Sequence, residues 1–562
     1  MQKKKLIPYG ISDFKDVVVN YYYIDKTKFI PLVENYGSFL YLIRPRRFGK
    51  SLFLNMLDFY YNVEYKDEFE LFKGTWIYDN PTEQRNSYHI LKFDFSAIST
   101  RGDIDENFSK ECNYRMDIFC KTYKIDLKVD YNKSAHDNLK LIFRHLPKDA
   151  NLYILIDEYD NFVNDLLMNS KKLYEKMVTT QEAIYKEFFK LLKAFTSQNN
   201  SPLKKMFFTG VSPLALFDVT SGSNIGINIT NEAIFNDIVG VTKEEYKKMV
   251  EYYEFDIKDD EAIIDNWYNH YKFNKKADSI YNTDMILYYI NSYLHIGNRP
   301  EKMIDLNVRA DYTKLKYLVH TNNRLNGNYD ALSKLFLNGY ITVENLEDGF
   351  SAFMLTKKQN FISLLYYLGL ITIDSEYRGK LKLIIPNLTV KTIMAEFVNT
   401  MLEETKTLEI DLSDFRDKVY DLAFDLKLDV FYYLATELDN NTSVRNLVSQ
   451  ESDIRMFYTL YFTLNKIYEP IVELELNKGF VDLYLMKRLT FDYDIPNILV
   501  EFKFIKQNEK KPDIKQVKED AKTQIQKYKN SKKFKVNKSI IIVFHGFKMI
   551  YCEWEELAGG KY

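Results

Sequence analysis

Four strand-length apolar runs punctuate the first 240 residues: Phe39–Ile43, His89–Phe95, Leu152–Ile156 and Lys205–Thr209. Helical stretches separate them, a pattern that predicts βα units and a parallel sheet. Several of the runs end at a polar or glycine-bearing turn, where α/β proteins place ligands. From 241 to 400 the pattern turns mainly helical. Thr242, with Glu245 three residues on, predicts a capped helix start. The apolar segment Phe361–Leu368 and the strand-like pair Leu370–Asp374 and Leu381–Ile385 predict a helix–hairpin unit. Residues 401–425 are acidic and helical in tendency and read as a linker. In 426–562, Val472–Glu475, Val481–Met486, Ile498–Phe504 and Ser539–Phe544 read as strands, with a charged helix at Ile514–Tyr528.

The first run leads into the strand–loop–helix pattern of a phosphate-binding loop, Arg44 to Ser51, with Arg44 where the first glycine is usual. Gly49 lets backbone N–H groups approach a phosphate, Lys50 offers a charge to the β and γ oxygens, and Ser51 can hold Mg²⁺. Arg46 and Arg47 complete the expected nucleotide contacts, and Arg44 with Pro45 predicts a stiffer, more cationic start to the loop. The third run ends in Asp157 and Glu158, as a Walker B strand does: Asp157 for Mg²⁺ and Glu158 to polarise the attacking water. The fourth ends in Thr209, placed as a polar sensor of the γ-phosphate. These features make 1–240 an ATP-binding, P-loop NTPase-like domain, with 241–400 as a helical lid or middle region.

A second chemistry lies near the C-terminus. Glu501 and Lys503 are two apart on a predicted strand, so they share a face, and Asp482 stands at the start of another predicted strand. If those strands are antiparallel neighbours, Asp482 joins Glu501 around one Mg²⁺ or Mn²⁺, an all-oxygen site suited to hard cations. Lys503 would then act on the attacking water. From Glu501 to Lys538 thirteen lysines face five acids, a local +8 in a chain of formal net charge −2. Lys506, Lys510, Lys511, Lys515, Lys518, Lys522, Lys527 and Lys529 are candidates for phosphate contacts; a plain solvated helix face is the competing reading.

Pro8 to Phe14 (Pro-Tyr-Gly-Ile-Ser-Asp-Phe), Tyr23 to Thr27 and the loop Arg44 to Ser51 together resemble the AAA-ATPase-like family that is often fused to a PD-(D/E)xK nuclease-like domain. Further echoes are Leu71 to Gly74, Thr209 to Ser212, Trp267 to Phe273, Leu364 to Thr372 and Ile385 to Asn387. The chain departs from that family at His270, Thr283 and Phe480, where glycine, proline and arginine are usual. The resemblance implies a C-terminal α/β nuclease-like domain over 426–562. It adds Gln524 and Tyr528, four apart on one helix face, to the catalytic set, and Glu451 and Glu475 to the metal ligands.

Bulk composition narrows the remaining classes. At 562 residues the chain exceeds one hydrophobic core, and 28% charged with 46% hydrophobic residues is ordinary for a globular protein. Cys112, Cys120 and Cys552 supply neither a disulfide framework nor zinc spacing. The seven histidines lack metal-ligand spacing and read as structural. No apolar window nears the roughly 18 residues of a membrane span, and no signal peptide is apparent. The expected setting is cytoplasmic, or nuclear in a eukaryotic host, and oligomeric state is left open. The expected function is an ATP-binding and hydrolysing module coupled to a divalent-metal nuclease acting on nucleic acid, DNA ahead of RNA. The alternative is an ATP-dependent regulatory or scaffold protein whose rear domain binds nucleic acid without cutting it.

Overall fold

The computed structural model describes residues 4–147, 149–179, 183–198, 200–220, 225–257, 260–313, 328–404, 408–441, 450–472, 474–476, 479–509, 513–528 and 538–555. The chain forms two compact units, Met1–Asn328 with Thr342–Pro386, and Tyr329–Ile341 with Asn387–Tyr562. Much of the expected linker is helix inside the second unit. Leu412–Asp425 is capped by the Asp411 carboxylate and buries Phe415, Val419 and Leu422. Those apolar positions, at helical spacing, were masked in the sequence by the acids between them.

The first unit is built on strands β1 (Phe39–Ile43), β2 (His89–Asp94), β3 (Leu152–Asp157), β4 (Leu203–Gly210) and β5 (Ile227–Asn228). They form one sheet of order β2-β3-β4-β1-β5, with every neighbouring pair parallel. β4 lies between the P-loop strand β1 and the acid-bearing strand β3, in register Ile43↔Gly210 and Ile156↔Phe208. The carboxyl ends of all three therefore gather at one edge, as ligand-binding α/β sheets require. β3 is buried along its whole length and β4 everywhere but Lys204. Burial on both faces explains why these strands read as continuous apolar runs and not as alternating ones. The Thr242 capping box forms: the Glu245 N–H donates to Thr242 Oγ1 at 3.2 Å, and the Thr242 N–H donates to Glu245 Oε2 at 2.8 Å. After a short strand β6 (Tyr340–Val343), the predicted hairpin appears as antiparallel β7 (Thr372–Tyr377) and β8 (Lys380–Ile384).

The second unit carries β9 (Tyr468–Ile471), β10 (Leu474–Leu476), β11 (Gly479–Val481), β12 (Leu483–Lys487), β13 (Ile498–Ile505), β14 (Lys538–His545) and β15 (Lys548–Glu555). Five of them form a sheet of order β15-β14-β13-β12-β9, in which β13 and β14 are parallel and the other neighbours antiparallel. The helix Ile514–Tyr528 stands in the chain between the parallel pair, and such pairs need a crossover of that kind. Its Ala521, Ile525 and Tyr528 pack with Leu499 and Ile505 of β13 and Ile541 and Val543 of β14. The protein is therefore α/β throughout: a parallel-sheet unit with a mainly helical stretch after it, and a mixed-sheet C-terminal unit.

Candidate functional site

The loop between β1 and the helix Lys50–Tyr61 turns through two left-handed residues, Arg47 (φ 66°) and Gly49 (φ 92°). Lys50 Nζ donates to the carbonyl oxygens of Arg44 at 3.0 Å and Pro45 at 2.9 Å, so the loop closes on its own lysine. Burial pushes the Lys50 pKa down, against the pull of Glu158, Asp157 and Asp160. Arg44 corrects an expectation. Its guanidinium is fully buried, donates to Thr230 O and Phe235 O, and lies 3.8 Å over the Phe273 ring. Its side chain anchors the start of the loop from the interior, while Arg46 and Arg47 line the cavity.

Across the sheet edge, Asp157 is buried and accepts from Thr209 Oγ1 at 2.6 Å and from the Glu158 N–H at 3.0 Å. Thr209, expected against the γ-phosphate, is wholly buried and instead fixes the Asp157 carboxylate. Glu158 takes φ 48°, a left-handed turn uncommon outside glycine, directly after β3. Burial pushes its carboxyl up, with Lys50 pulling the other way. Asp160, missed in the sequence, accepts from the backbone N–H groups of Val211 (3.1 Å) and Ser212 (2.7 Å) and from Asn164 Nδ2. It ties the turn after β3 to the turn after β4; its signal was a third acid in Asp-Glu-Tyr-Asp. Gly210 makes that approach possible, because a Cβ there would lie 2.2 Å from the Tyr159 ring.

A cavity of ≈ 460 Å³ opens at this edge. Its lining includes Gly49, Lys50, Ser51 and Glu158 together with Pro8, Ile11, Tyr23 and Leu287. The first turn of the helix Thr283–Ile296 closes over the loop: Asn282 Nδ2 donates to Arg46 O, Thr283 Oγ1 to Phe48 O and the Asp284 N–H to Arg47 O. The Asp284 carboxylate meets Arg47 Nη1 at 2.7 Å, and Arg46 Nη2 reaches Asn161 Oδ1 at 3.1 Å. Sequence reading treated Thr283 only as a departure from a family pattern; here its hydroxyl holds the loop.

In the second unit, β12 and β13 are antiparallel neighbours in register Leu483↔Val500, which brings Asp482 beside Glu501. The Phe502 N–H donates to Asp482 Oδ2 at 2.9 Å, and Lys503 Nζ donates to Glu501 Oε1 at 2.8 Å. Glu501 is 1% exposed, and its Oε2 is buried without a hydrogen-bond partner. Burial and the Asp482 charge push its carboxyl up to about 8, against Lys503. Arg455, also missed in the sequence, donates from Nη1 to Asp482 Oδ1 at 3.2 Å. Glu451 sits one helical turn before Arg455; burial and Asp482 push its carboxyl up, while Lys503, Arg455 and the Phe504 N–H oppose.

The outer members of the expected set stand further off. Among the described residues no three His, Cys, Asp or Glu side chains form a ready metal cage. The carboxylates the fold brings together are therefore Asp482 and Glu501, with Glu451 in electrostatic range. Glu475 lies in β10 opposite Phe480, its side chain outside the described residues. The Tyr528 hydroxyl is taken by Phe480 O at 2.7 Å, which pins the approach to Asp482, and Gln524 is half-buried one turn earlier. Of the lysines, Lys522 pairs with Glu555 at 3.5 Å and Lys518 lies over the Tyr551 ring, so neither is a simple solvated cation. Lys510, Lys511 and Lys529 fall outside the described residues. Two carboxylates, one of them with an orphaned buried oxygen, suit a small hard cation, which usually keeps several waters beside one or two carboxylates.

Fold and sites together define the class: a P-loop ATPase-type domain and a PD-(D/E)XK-type domain in one chain. Residues 8–220 match the family described as Predicted AAA-ATPase, and residues 449–554 match the PD-(D/E)XK nuclease superfamily; the chain carries a domain of each. It is also similar to a protein of Azotobacter chroococcum mcd 1 described as uncharacterized and encoded in the vnfD 5′ region. The two are 24% identical over 362 residues, 62% of this chain and 66% of that one, just under two thirds of the relative's length. Among solved structures, the Walker-type ATPase of Pyrococcus abyssi aligns over 70% of this chain and 99% of its own, at 14% identity and a TM-score of 0.38. The Aeropyrum pernix ORC2 protein aligns over 68% and 93%, at 11% identity and a TM-score of 0.29.

Proposed function

We propose that the first unit binds and hydrolyses ATP and that the second hydrolyses phosphodiester bonds in nucleic acid, DNA ahead of RNA. The observation that carries the nuclease reading is the pairing of Asp482 and Glu501 across β12 and β13, with Lys503 on the Glu501 carboxylate.

In the first unit the triphosphate lies along the loop N–H groups, and Lys50 exchanges the Arg44 and Pro45 carbonyls for phosphate oxygens. Ser51 and Asp157 are the residues that would hold Mg²⁺, whose chemistry there is to neutralise phosphate charge. Glu158 orients and deprotonates the water that attacks the γ-phosphorus. Tyr23, Ile11 and Leu287 offer the base an apolar wall.

In the second unit Asp482 and Glu501 would hold Mg²⁺ or Mn²⁺, which supplies charge stabilisation to a phosphorane-like transition state. Lys503 holds the attacking water in line with the phosphorus. The water oxygen bonds to phosphorus as the bridging ester oxygen leaves, the water proton passes to solvent or a nearby carboxylate, and the leaving oxygen takes a proton. Tyr528 keeps the strand before Asp482 in place through Phe480 O.

One observation favours a second reading, in which the rear domain binds nucleic acid and does not cut. Both inner carboxylates already have cationic partners, Arg455 on Asp482 and Lys503 on Glu501. Incubating the full chain with plasmid, single-stranded DNA and RNA in Mg²⁺ or Mn²⁺, with and without ATP, separates the two.

A further inference from the structure

Arg455 projects from the helix Glu451–Thr463 into the carboxylate site with its side chain 16% exposed. Its Nη1 occupies Asp482 Oδ1, while its Nε is buried and has no hydrogen-bond partner. Both Asp482 oxygens already accept a hydrogen bond, Oδ1 from Arg455 and Oδ2 from the Phe502 N–H. Glu501 is the reverse case, with Oε1 on Lys503 and Oε2 unpartnered. The cluster thus holds an unsatisfied donor and an unsatisfied acceptor that do not satisfy each other. Buried polar groups left in that state are costly, and they usually mark a place where something else binds.

The two orphans have different chemistries. Glu501 Oε2 suits a cation. The guanidinium of Arg455 presents a planar fork that matches two oxygens of a phosphate, and a single contact to Asp482 uses only part of it. Whatever the protonation of Glu451, Asp482 and Glu501, Arg455 adds one fixed positive charge to the place a cation must approach.

Building on the reading of Asp482 and Glu501 as metal ligands, we propose that Arg455 couples metal binding to phosphodiester binding. In the resting site its guanidinium holds the Asp482 oxygen that a divalent cation needs. When a backbone phosphate arrives, Arg455 turns its fork onto the phosphate and frees Asp482 Oδ1. Metal and phosphodiester then bind cooperatively, each raising the affinity of the other by the same factor, as linkage demands. The domain stays weakly metallated until nucleic acid is present.

Mn²⁺ binding, followed by the loss of the free-ion electron paramagnetic resonance signal, tests this on the full chain without nucleotide. The proteins are wild type, Arg455→Gln, Arg455→Lys and Asp482→Asn, each with and without phosphorothioate DNA and RNA oligonucleotides. Wild type should bind Mn²⁺ weakly alone and roughly tenfold more tightly with one of the oligonucleotides. Arg455→Gln should bind Mn²⁺ roughly tenfold more tightly alone and gain little from the oligonucleotide. Arg455→Lys keeps the charge without the fork, so it should stay weak alone and lose most of the gain; it serves as the test if the Gln variant does not fold. Equal Mn²⁺ affinity in wild type and Arg455→Gln, or an undiminished oligonucleotide gain in both Arg455 variants, would overturn the coupling. If Asp482→Asn binds Mn²⁺ like wild type, the metal-site reading itself fails, which is a separate outcome.

Discussion

Thr209 and Asp157 meet at the ends of neighbouring parallel strands, the threonine hydroxyl donating to Asp157 Oδ1 at 2.6 Å. The contact lies in the interior, so the threonine acts through the aspartate and not on a ligand. Thr209→Val removes the donor at nearly constant volume. It should cost about 1–3 kcal/mol of stability. ATP turnover should fall by roughly tenfold, because Asp157 loses its fixed orientation, with ATP affinity little changed. Thermal melts and steady-state ATPase assays read these separately, and a large loss of affinity with unchanged turnover would place Thr209 at the phosphate instead.

Lys50 and Glu158 should fail in different ways. Lys50→Ala leaves the Arg44 and Pro45 carbonyls to water and removes the charge offered to the phosphates; calorimetry should show ATP–Mg²⁺ affinity falling at least about tenfold with the fold kept. Glu158→Gln retains ATP but lacks the water-polarising carboxylate, so turnover should drop by about 10²–10³. Equal affinity in wild type and Lys50→Ala would remove the nucleotide assignment.

What the sequence made legible follows physical scale. β3 was visible because a doubly buried parallel strand is an unbroken apolar run, β1 and β4 because Phe39–Ile43 and Met206–Phe208 are apolar without interruption, and the helix Ile514–Tyr528 was visible from its charge and spacing. The two-residue β5 is too short for a pattern, and β15 lies at a sheet edge with mixed burial. Asp482, Glu501 and Lys503 could be grouped because strand alternation and adjacency are local rules. Asp160, Asp284 and Arg455 could not, since their partners are 51, 237 and 27 residues away. Arg44 reads in the sequence as part of a more cationic loop entry, whereas the Phe273 ring over its buried guanidinium is far along the chain.

Asp160 is the test of that hidden scaffold. Asp160→Ala would strand the Val211 and Ser212 N–H groups in the interior, at a cost of about 2–4 kcal/mol. The melting temperature should fall by several degrees and ATP binding should weaken with it. An unchanged melt would mean that water replaces the carboxylate without penalty.

Glu501 gives the second unit a pH dependence. Its carboxyl lies near 8 in the metal-free fold against an ordinary 4.5, so between those values the folded protein holds a proton that the unfolded chain has released. This group's contribution is therefore fully present below about pH 4.5 and is lost as pH rises through about 8. Mn²⁺ must displace that proton, so metal affinity should climb between about pH 6 and pH 8 and then level. Glu501→Gln should bind weakly with no such rise, and a flat wild-type profile would contradict the shift.

The most direct test of the account is a nuclease assay on purified wild type, Asp482→Ala and Lys503→Ala at matched concentration, with Mg²⁺ or Mn²⁺ and DNA or RNA. Wild type should cut, Asp482→Ala should be inactive, and Lys503→Ala should be slowed by about 10²-fold or more while still binding Mn²⁺. If wild type cuts no nucleic acid under any of these conditions, or if all three cut alike, the proposed cleavage site is wrong.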